Sequence, residues 1–544
     1  MDTFTLSGQI VDIIEKRIYP GTITVSEGKI TSINPDDRIQ SRDYLLPGFI
    51  DAHIHIESSM LIPSEFARLA TVHGTVATVS DPHEIANILG IEGIRYMIET
   101  GRQVPFHFYF GASPCFPATE FETSGATIEA KGIQQLFSDY HLHYLSEMMN
   151  YPGVLHRDPL VMEKIAIAKR YHKPIDGHAP GLKGEEAERY IQAGITTDHE
   201  CFTLEEALDK IRYGMKIIIR EGSAAKNYEA LHPLLRSHPS QVMFCSDDKH
   251  PHELIEGHIN QLVRRSIVEK GYDTMDVLRA ACYHPVQHYQ LESGLLRPGD
   301  SADFIVVDNL REFNVKSTYI KGRLVAQEGK TLIPRIPASI VNHFNCLAKK
   351  PSDFAIKGRP GKLRTIQVLD GQLITNQVLM DAKVEQDHLV ADVKRDLLKI
   401  AVVNRYQEAK PAIGFINQFG LKEGAIASCI AHDSHNIICV GTNDEDMCAA
   451  VNALIEHKGG ISVASRGQAY SLPLPIGGIM SADDGYKIAD EYVILDRKAK
   501  ELGTTLGAPF MTLSFMALLV IPSLKLSDKG LFDGSRFAFT DLNV

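Results

Sequence analysis

The chain has 544 residues, 44% hydrophobic and 23% charged, which is typical of a globular protein with two or three domains. A formal net charge of −12 offers no basic surface, so we expect neither nucleic acid nor an anionic membrane as a partner. The eight cysteines form no C-x-x-C pair and no signal peptide is apparent, which predicts a cytoplasmic protein with reduced thiols.

The first 46 residues have the alternating pattern of short antiparallel strands. The strand-like runs cover residues 9–12, 21–25 and 29–33. The pattern returns far downstream, at residues 303–308, 315–322 and 324–326. We therefore predict that residues 1–46 and 295–345 pair into one composite β-sandwich domain, with the central segment inserted between its two halves.

Strand-like and helix-like segments alternate between residues 47 and 294. The predicted strands begin near Phe49, Val76, Phe106, His143, Pro174, Thr196, Lys216 and Val242. Helical patterns cover residues 63–73, 159–171, 203–213 and 254–270. Eight such units predict an α/β fold, a (β/α)8 TIM barrel. A doubly wound sheet would need a glycine-rich phosphate turn after its first strand, and none is present.

Residues 346–544 form a separate region in which strand and helix patterns are mixed. Strand-like runs occur at 398–403 and 437–441, and helical periodicity at 444–457 and 489–502. We predict an additional C-terminal α+β domain. The apolar run at 515–521 is too short to cross a bilayer and is expected to be core.

His53 and His55 close the first barrel strand. Side chains alternate along a strand, so both imidazoles point the same way, roughly 7 Å apart, and could hold one metal ion. A pair of histidines hydrogen-bonded at a strand end is the alternative.

The barrel hypothesis places catalytic groups at the carboxyl ends of the strands. The residues found there are His53, His55, Asp81, Glu147, His178, His199, Glu221 and Asp247. Four histidines with Glu147 and Asp247 suffice for two divalent ions that share a carboxylate. Imidazole and carboxylate without thiolate suit manganese, iron or zinc.

Residues 47–55, PGFIDAHIH, resemble the first-strand motif of the amidohydrolase superfamily, and residues 294–303 resemble the segment with which those enzymes re-enter their β-sandwich. A set of further motifs resembles the bacterial and archaeal adenine deaminase family, so the resemblance covers essentially the whole chain. These motifs are SDPHE at 80–84, SEMMN at 146–150, DGHAP at 176–180, SDDKHP at 246–251 and HDSHN at 432–436.

The resemblance implies a metal-dependent hydrolytic deamination of adenine to hypoxanthine and ammonia, a reaction of purine salvage. The implied metal ligands are His53, His55, Glu147, His178, His199 and Asp247. Asp247, Glu147 and His199 are the implied catalytic residues, with Asp247 moving a proton from water toward the leaving amine. Many superfamily members carry a carboxylated lysine where this chain has Glu147, which can bridge two metals or bind one. We expect a binuclear Mn²⁺ or Fe²⁺ site, with Zn²⁺ as the alternative, in a homo-oligomer.

Some candidates have two interpretations. Asp81 and Glu84 fit a helix capping box around Pro82, or they and His83 face the substrate. His432 and His435 lie in a stretch that is either a polar hairpin turn or a loop reaching the active site.

Glu221 and Ser223 are further pocket candidates. Asp247 could instead be a turn residue, and His199 a core histidine oriented by Asp198 or Glu200. Two other functions stay open: an amidohydrolase that cleaves a cyclic amide or an N-acetyl group, and a non-catalytic barrel scaffold.

Overall fold

The computed structural model describes residues 3–544, and its N-terminal strands follow the predicted alternation. Apolar side chains such as Ile23 and Val25 are buried on one face while their neighbours stay partly exposed. The strands are β1 (Phe4–Asp12), β2 (Arg17–Ser26), β3 (Lys29–Pro35) and β4 (Tyr44–Pro47).

Eight strands follow, and each begins within two residues of its predicted start. All of their residues are buried except Phe108 and Lys216, which are partly exposed, because helices cover the outer face of a parallel barrel. They are β5 (Phe49–Ile54), β6 (Thr75–Ser80), β7 (His107–Phe110), β8 (Leu145–Met148), β9 (Ile175–Gly177), β10 (Thr197–Asp198), β11 (Lys216–Arg220) and β12 (Val242–Cys245).

Parallel pairing runs through these strands in sequence order and closes on itself. β7 continues to β8 through a bridge between Ala112 and Leu145, and β9 meets the residue before β10 where the Thr196 amide donates to the Ile175 carbonyl. The last strand returns to the first, since the His55 amide donates to the Asp247 carbonyl at 3.1 Å. The predicted (β/α)8 barrel is confirmed.

The helices of the barrel lie between and after these strands. They are α1 (Pro63–Ala70), α2 (His83–Leu89), α3 (Ile91–Gly101), α4 (Ala130–Ser138), α5 (Tyr151–Leu155), α6 (Pro159–Arg170), α7 (Gly184–Gln192), α8 (Leu204–Arg212), α9 (Tyr228–Leu231), α10 (Leu234–Ser237), α11 (Pro251–Glu256), α12 (Ile259–Arg264), α13 (Thr274–Leu278) and α14 (His284–Tyr289).

The helical pattern predicted at residues 254–270 is interrupted at Gly257 and His258. α11 ends at Glu256, α12 begins at Ile259, and residues 265–269 form a π turn. The interruption turns His258 into the barrel, where its ring lies 2.7 Å from Thr75 Oγ1 and 2.8 Å from Asp51 Oδ2. A buried polar network therefore overrides helical periodicity here.

The strands after the barrel join the N-terminal strands in one eight-stranded sheet. β4 lies at its centre, parallel to β1 and antiparallel to β13, so both chain segments meet there as predicted. The added strands are β13 (Phe304–Val307), β14 (Val315–Ile320), β15 (Arg323–Gln327) and β16 (Lys330–Thr331).

The C-terminal region is built on a second eight-stranded sheet, in the order β19-β18-β23-β22-β25-β24-β26-β27. Its strands are β17 (Ile356–Lys357), β18 (Lys362–Gln367), β19 (Asn376–Asp381), β20 (Lys383–Glu385), β21 (His388–Val390), β22 (Leu398–Val403), β23 (Ala412–Asn417), β24 (Ala425–Ser428), β25 (Ile437–Gly441), β26 (Ile461–Ser465), β27 (Gln468–Leu472), β28 (Leu524–Ser527), β29 (Gly530–Asp533) and β30 (Ala538–Phe539). Its helices are α15 (Asp444–His457), α16 (Gly485–Glu501) and α17 (Pro509–Ser514).

The predicted strands at 398–403 and 437–441 and the helix at 444–457 match β22, β25 and α15. α16 begins four residues before its predicted start because the Asp484 side chain caps it by accepting from the amides of Tyr486 and Lys487. None of the helices within residues 3–544 combines the length and the apolar character that a membrane span requires. The exact bounds of the three domains stay a prediction.

Candidate metal centre at the barrel mouth

The six predicted metal ligands lie together at the carboxyl ends of the barrel strands, and each is at most 6% exposed. The alternation of strands and helices brings them together, because the carboxyl ends of all parallel strands lie at the same rim of the barrel. They are His53 in β5, His55 directly after it, Glu147 in β8, His178 after β9, His199 after β10 and Asp247 after β12.

Glu147 lies at the centre of this group, since its two carboxylate oxygens face different histidines. Oε1 lies 3.3 Å from His55 Nε2. Oε2 lies 2.7 Å from His178 Nδ1 and 3.3 Å from His199 Nε2. A carboxylate whose oxygens are divided in this way can serve two cations.

The two histidines of the first strand meet through ring nitrogens. His53 Nε2 lies 3.3 Å from His55 Nε2, and His55 Nε2 lies 3.2 Å from Asp247 Oδ1. Burial lowers the pKa of His53 to about 3, so the ring is neutral and keeps a lone pair for a metal. Two imidazole nitrogens converging beside a carboxylate are suited to a cation between them.

The donor atoms of these residues form overlapping groups whose members all lie within 4.8 Å of one another. One group contains His53, His55 and Asp247, and another contains His53, Glu147 and His199. Imidazole nitrogen and carboxylate oxygen without thiolate are suited to manganese, iron or zinc. The residues therefore fit divalent metal ions.

A buried arginine balances the carboxylates. Arg220 Nη1 lies 2.6 Å from Asp247 Oδ2 and also contacts Glu200, and Nη2 lies 3.4 Å from Asp248 Oδ2. Burial would raise the pKa of Asp247, but Arg220 and His199 outweigh this effect and the pKa lies well below its usual value. Asp247 is therefore held as a carboxylate.

The capping-box interpretation of residues 81–84 is wrong. Pro82 is the N-cap of α2, and no side chain caps the helix. The Asp81 carboxylate instead accepts a hydrogen bond from Ser113 Oγ at 2.6 Å and lies 3.2 Å from His83 Nδ1. The Glu84 carboxylate points away from the helix start toward the C-terminal region.

The structure agrees with both interpretations of residues 432–436, as a hairpin turn and as a loop at the active site. They form the turn between the antiparallel strands β24 and β25, and the turn reaches the barrel mouth. His432 Nδ1 and His435 Nε2 both contact the Glu84 carboxylate. Asp433 Oδ1 lies 3.8 Å from His83 Nε2. The C-terminal region thus contributes polar groups directly to the mouth.

An apolar group of side chains, here called the roof, also lines the cavity. It consists of Leu373, Phe515 and Leu518, all from the C-terminal region. The Phe515 ring stacks on the His432 ring, with centroids 5.2 Å apart and an interplanar angle of 21°. The cavity lining therefore combines hydrogen-bonding and ionisable groups with apolar side chains.

Glu221 and Ser223 are not brought into this cavity. Glu221 Oε1 accepts from Arg265 Nη1 at 2.9 Å, and Ser223 contacts Glu253 and accepts from the His250 amide. Asp198 does not orient His199, because its carboxylate binds Lys210 Nζ at 2.5 Å.

Comparisons with known proteins cover the whole of this architecture. Residues 44–325 match the model of the amidohydrolase family, and residues 372–538 match that of the adenine deaminase C-terminal domain. Adenine deaminase from Sulfurovum sp. is 55% identical and aligns over 98% of this chain and 99% of its own length. Adenine deaminase from Methanosarcina mazei is 50% identical and aligns over 98% of each chain.

This chain belongs to the adenine deaminase family. Among solved structures, enamidase of the amidohydrolase superfamily has a TM-score of 0.46 and 14% identity, over 61% of this chain and 97% of that one. Membership of the amidohydrolase family implies a divalent metal, in agreement with the donor set at the barrel mouth.

Several residues at the site of this adenine deaminase family member escaped the sequence analysis. Arg220, Asp248 and Asp433 line the cavity, as do the roof side chains. Glu200, which the sequence analysis considered as a partner of His199, also lines it, with its Oε1 3.6 Å from His199 Nε2. The sequence contained a signal for Arg220, because this charged residue ends the apolar run of the seventh strand at the rim of the barrel. The roof had none, because its apolar residues look like ordinary core.

Proposed function

We propose that this protein hydrolyses adenine at C6 and releases hypoxanthine and ammonia. The observation that carries the proposal is the near full-length similarity to proteins named adenine deaminase, which includes the C-terminal domain as well as the barrel. The buried cluster of histidines and carboxylates supports hydrolysis, and the roof supports a planar substrate.

We propose a binuclear site for Mn²⁺ or Fe²⁺, with Zn²⁺ as the alternative, which Glu147 would help to hold through its two carboxylate oxygens. When bound, divalent ions would lower the pKa of water enough to supply a nucleophile near neutral pH. The ligands in this proposal are His53, His55, Glu147, His178, His199 and Asp247.

Asp247 is the proposed proton carrier. Its carboxylate lies among the ligand groups and is charge-paired with Arg220, so it can accept a proton from the attacking water. It then delivers this proton to the leaving amine at C6. His199 Nε2 lies 3.6 Å from Asp247 Oδ2 and can help hold the carboxylate in place.

A second polar cluster is assigned to the substrate side of the cavity. Those of its members that line the cavity, His83, Glu84 and His432, can hydrogen-bond the ring nitrogens of a purine, while the roof can pack against the ring face. Asp81 and His435 belong to the proposed cluster through their contacts with His83 and Glu84.

The direct test is turnover by purified protein reconstituted with Mn²⁺ or Fe²⁺. We expect adenine to be converted to hypoxanthine with release of ammonia. No turnover with any divalent metal, together with cleavage of a cyclic amide or an N-acetyl group, would instead favour another amidohydrolase reaction.

Location and assembly are also proposed. All eight cysteines are free and buried, which supports a reducing, cytoplasmic setting. A homo-oligomer is proposed from the family resemblance, and sedimentation of the purified protein would test it.

A further inference from the structure

One lysine in the C-terminal region is buried without an acidic partner. Lys525 in β28 is 0% exposed, and its Nζ donates to two backbone carbonyls, Leu373 O at 2.7 Å and Phe515 O at 2.9 Å. Burial is the cause that lowers the pKa of this amine to about 7. Burying an amine against neutral acceptors destabilises the fold, so the position of Lys525 requires an explanation.

The two acceptor carbonyls belong to residues whose side chains form the roof. Leu373 precedes β19 and Phe515 follows α17, so the two segments come from distant parts of the chain. The Thr375 hydroxyl adds a bond to the Leu524 carbonyl at 2.9 Å beside this junction. Lys525 is the side chain that binds both roof segments at once.

We propose that Lys525 is a positioning residue that fixes the apolar roof above the substrate cavity and thereby sets the affinity for the flat ring of the substrate. The identity of that substrate rests on the proposed function. The roof side chains are apolar and cannot stabilise the charge that develops at C6, so we expect their contacts with a ring to favour the ground state and the transition state alike. Loss of such uniform contacts raises KM and leaves kcat nearly unchanged.

The test compares Lys525→Met with a matched control in the same region. Lys399 in β22 is 1% exposed and also donates to a carbonyl, that of Phe354, at 3.0 Å, with Asp444 as its second partner at 2.6 Å. Neither partner lines the cavity. Lys399→Met therefore removes a buried lysine without touching the roof.

We expect Lys525→Met to raise KM for adenine ~10-fold, the loss equivalent to one buried hydrogen bond, with kcat and metal content close to wild type. Lys399→Met should leave KM unchanged. Amide hydrogen exchange should become faster at residues 371–375 and 513–519 in the Lys525 variant alone. This second readout does not depend on activity.

An unchanged KM in Lys525→Met, or an equal rise in Lys399→Met, would overturn the proposal. A wild-type protein that does not deaminate adenine would contradict the proposed function, and the exchange measurement would still decide the role of Lys525. If Lys525→Met does not fold, Lys525→Gln keeps an N–H donor on a shorter side chain, and we expect a smaller rise in KM.

Discussion

The guanidinium of Arg220 lies 2.6 Å from the Asp247 carboxylate, and both side chains are 2% exposed. They stand at the ends of neighbouring barrel strands, β11 and β12, so the pair is fixed by the barrel itself. The proposed proton carrier therefore has a permanent cationic partner that keeps it ionised.

Arg220→Met should reduce kcat/KM for adenine by ~100-fold, because a buried carboxylate without its cation holds its proton and is no longer a base. The acid side of the pH–rate profile should move to higher pH. Arg265→Met is the control, since Arg265 pairs with Glu221 outside the cavity. Equal losses in the two variants would contradict a role specific to Arg220.

Glu147→Ala should lose bound metal and more than ~100-fold of the activity, because Glu147 contacts three of the histidines. Metal analysis of the purified variant measures the loss directly. Glu221→Gln, a change outside the cavity, should retain wild-type metal content. A non-catalytic scaffold would have no bound metal to lose in either variant.

Glu84→Gln should lower the free energy of unfolding by about 3 kcal/mol, because two buried histidines, His432 and His435, lose their charged acceptor. Thermal unfolding measures this change, and hydrogen exchange at residues 430–436 should become faster.

Glu57→Gln is the matched control for Glu84. Burial raises the pKa of Glu57 to about 7, so an uncharged amide closely resembles its protonated form. We expect only a small loss of stability in this variant. A loss as large as that of Glu84→Gln would show that any buried glutamate near the mouth has the same effect.

The lowered pKa of Lys525 predicts that the free energy of unfolding depends on pH. Its pKa is lowered from 10.5 to about 7 in the fold, so between these values the unfolded chain holds a proton that the folded chain has released. Stability therefore rises with pH across that window, by about 1.4 kcal/mol per pH unit at most, and Lys525 adds no pH dependence below pH 7, where the amine is charged in both the folded and the unfolded chain. The Tm of wild type should therefore rise relative to that of Lys525→Met between pH 7 and pH 9. A constant offset between the two Tm values would contradict this prediction.

The barrel could be predicted from sequence because its signal is local. Several of the buried strands are short apolar runs such as Ile217–Ile219, and seven of the eight end within two residues of a residue whose type suits the rim. The break between α11 and α12 at Gly257 and His258 could not be predicted, because the hydrogen bonds from His258 to Asp51 and Thr75 depend on chain segments far away in the sequence.

The candidate site divides in the same way. The position of the six proposed ligands could be predicted because strand order fixes the rim, and the structure brings these side chains together there. The contacts made by side chains in the loops could not be predicted in this way. Glu221 turns to Arg265 instead of the cavity, whereas His432 reaches Glu84, and only the packing between the barrel and the C-terminal region decides such contacts.

The junction where the last barrel strand meets the first is made by the backbones of the same residues that supply ligands. The His55 amide donates to the Asp247 carbonyl, and the Asp247 amide donates to the His53 carbonyl. Opening the cylinder at this junction would separate the ligands, so chemistry and ring closure are lost together. A fragment that ends before Val242 lacks β12 and Asp247, so it has neither a closed barrel nor the complete set of proposed ligands.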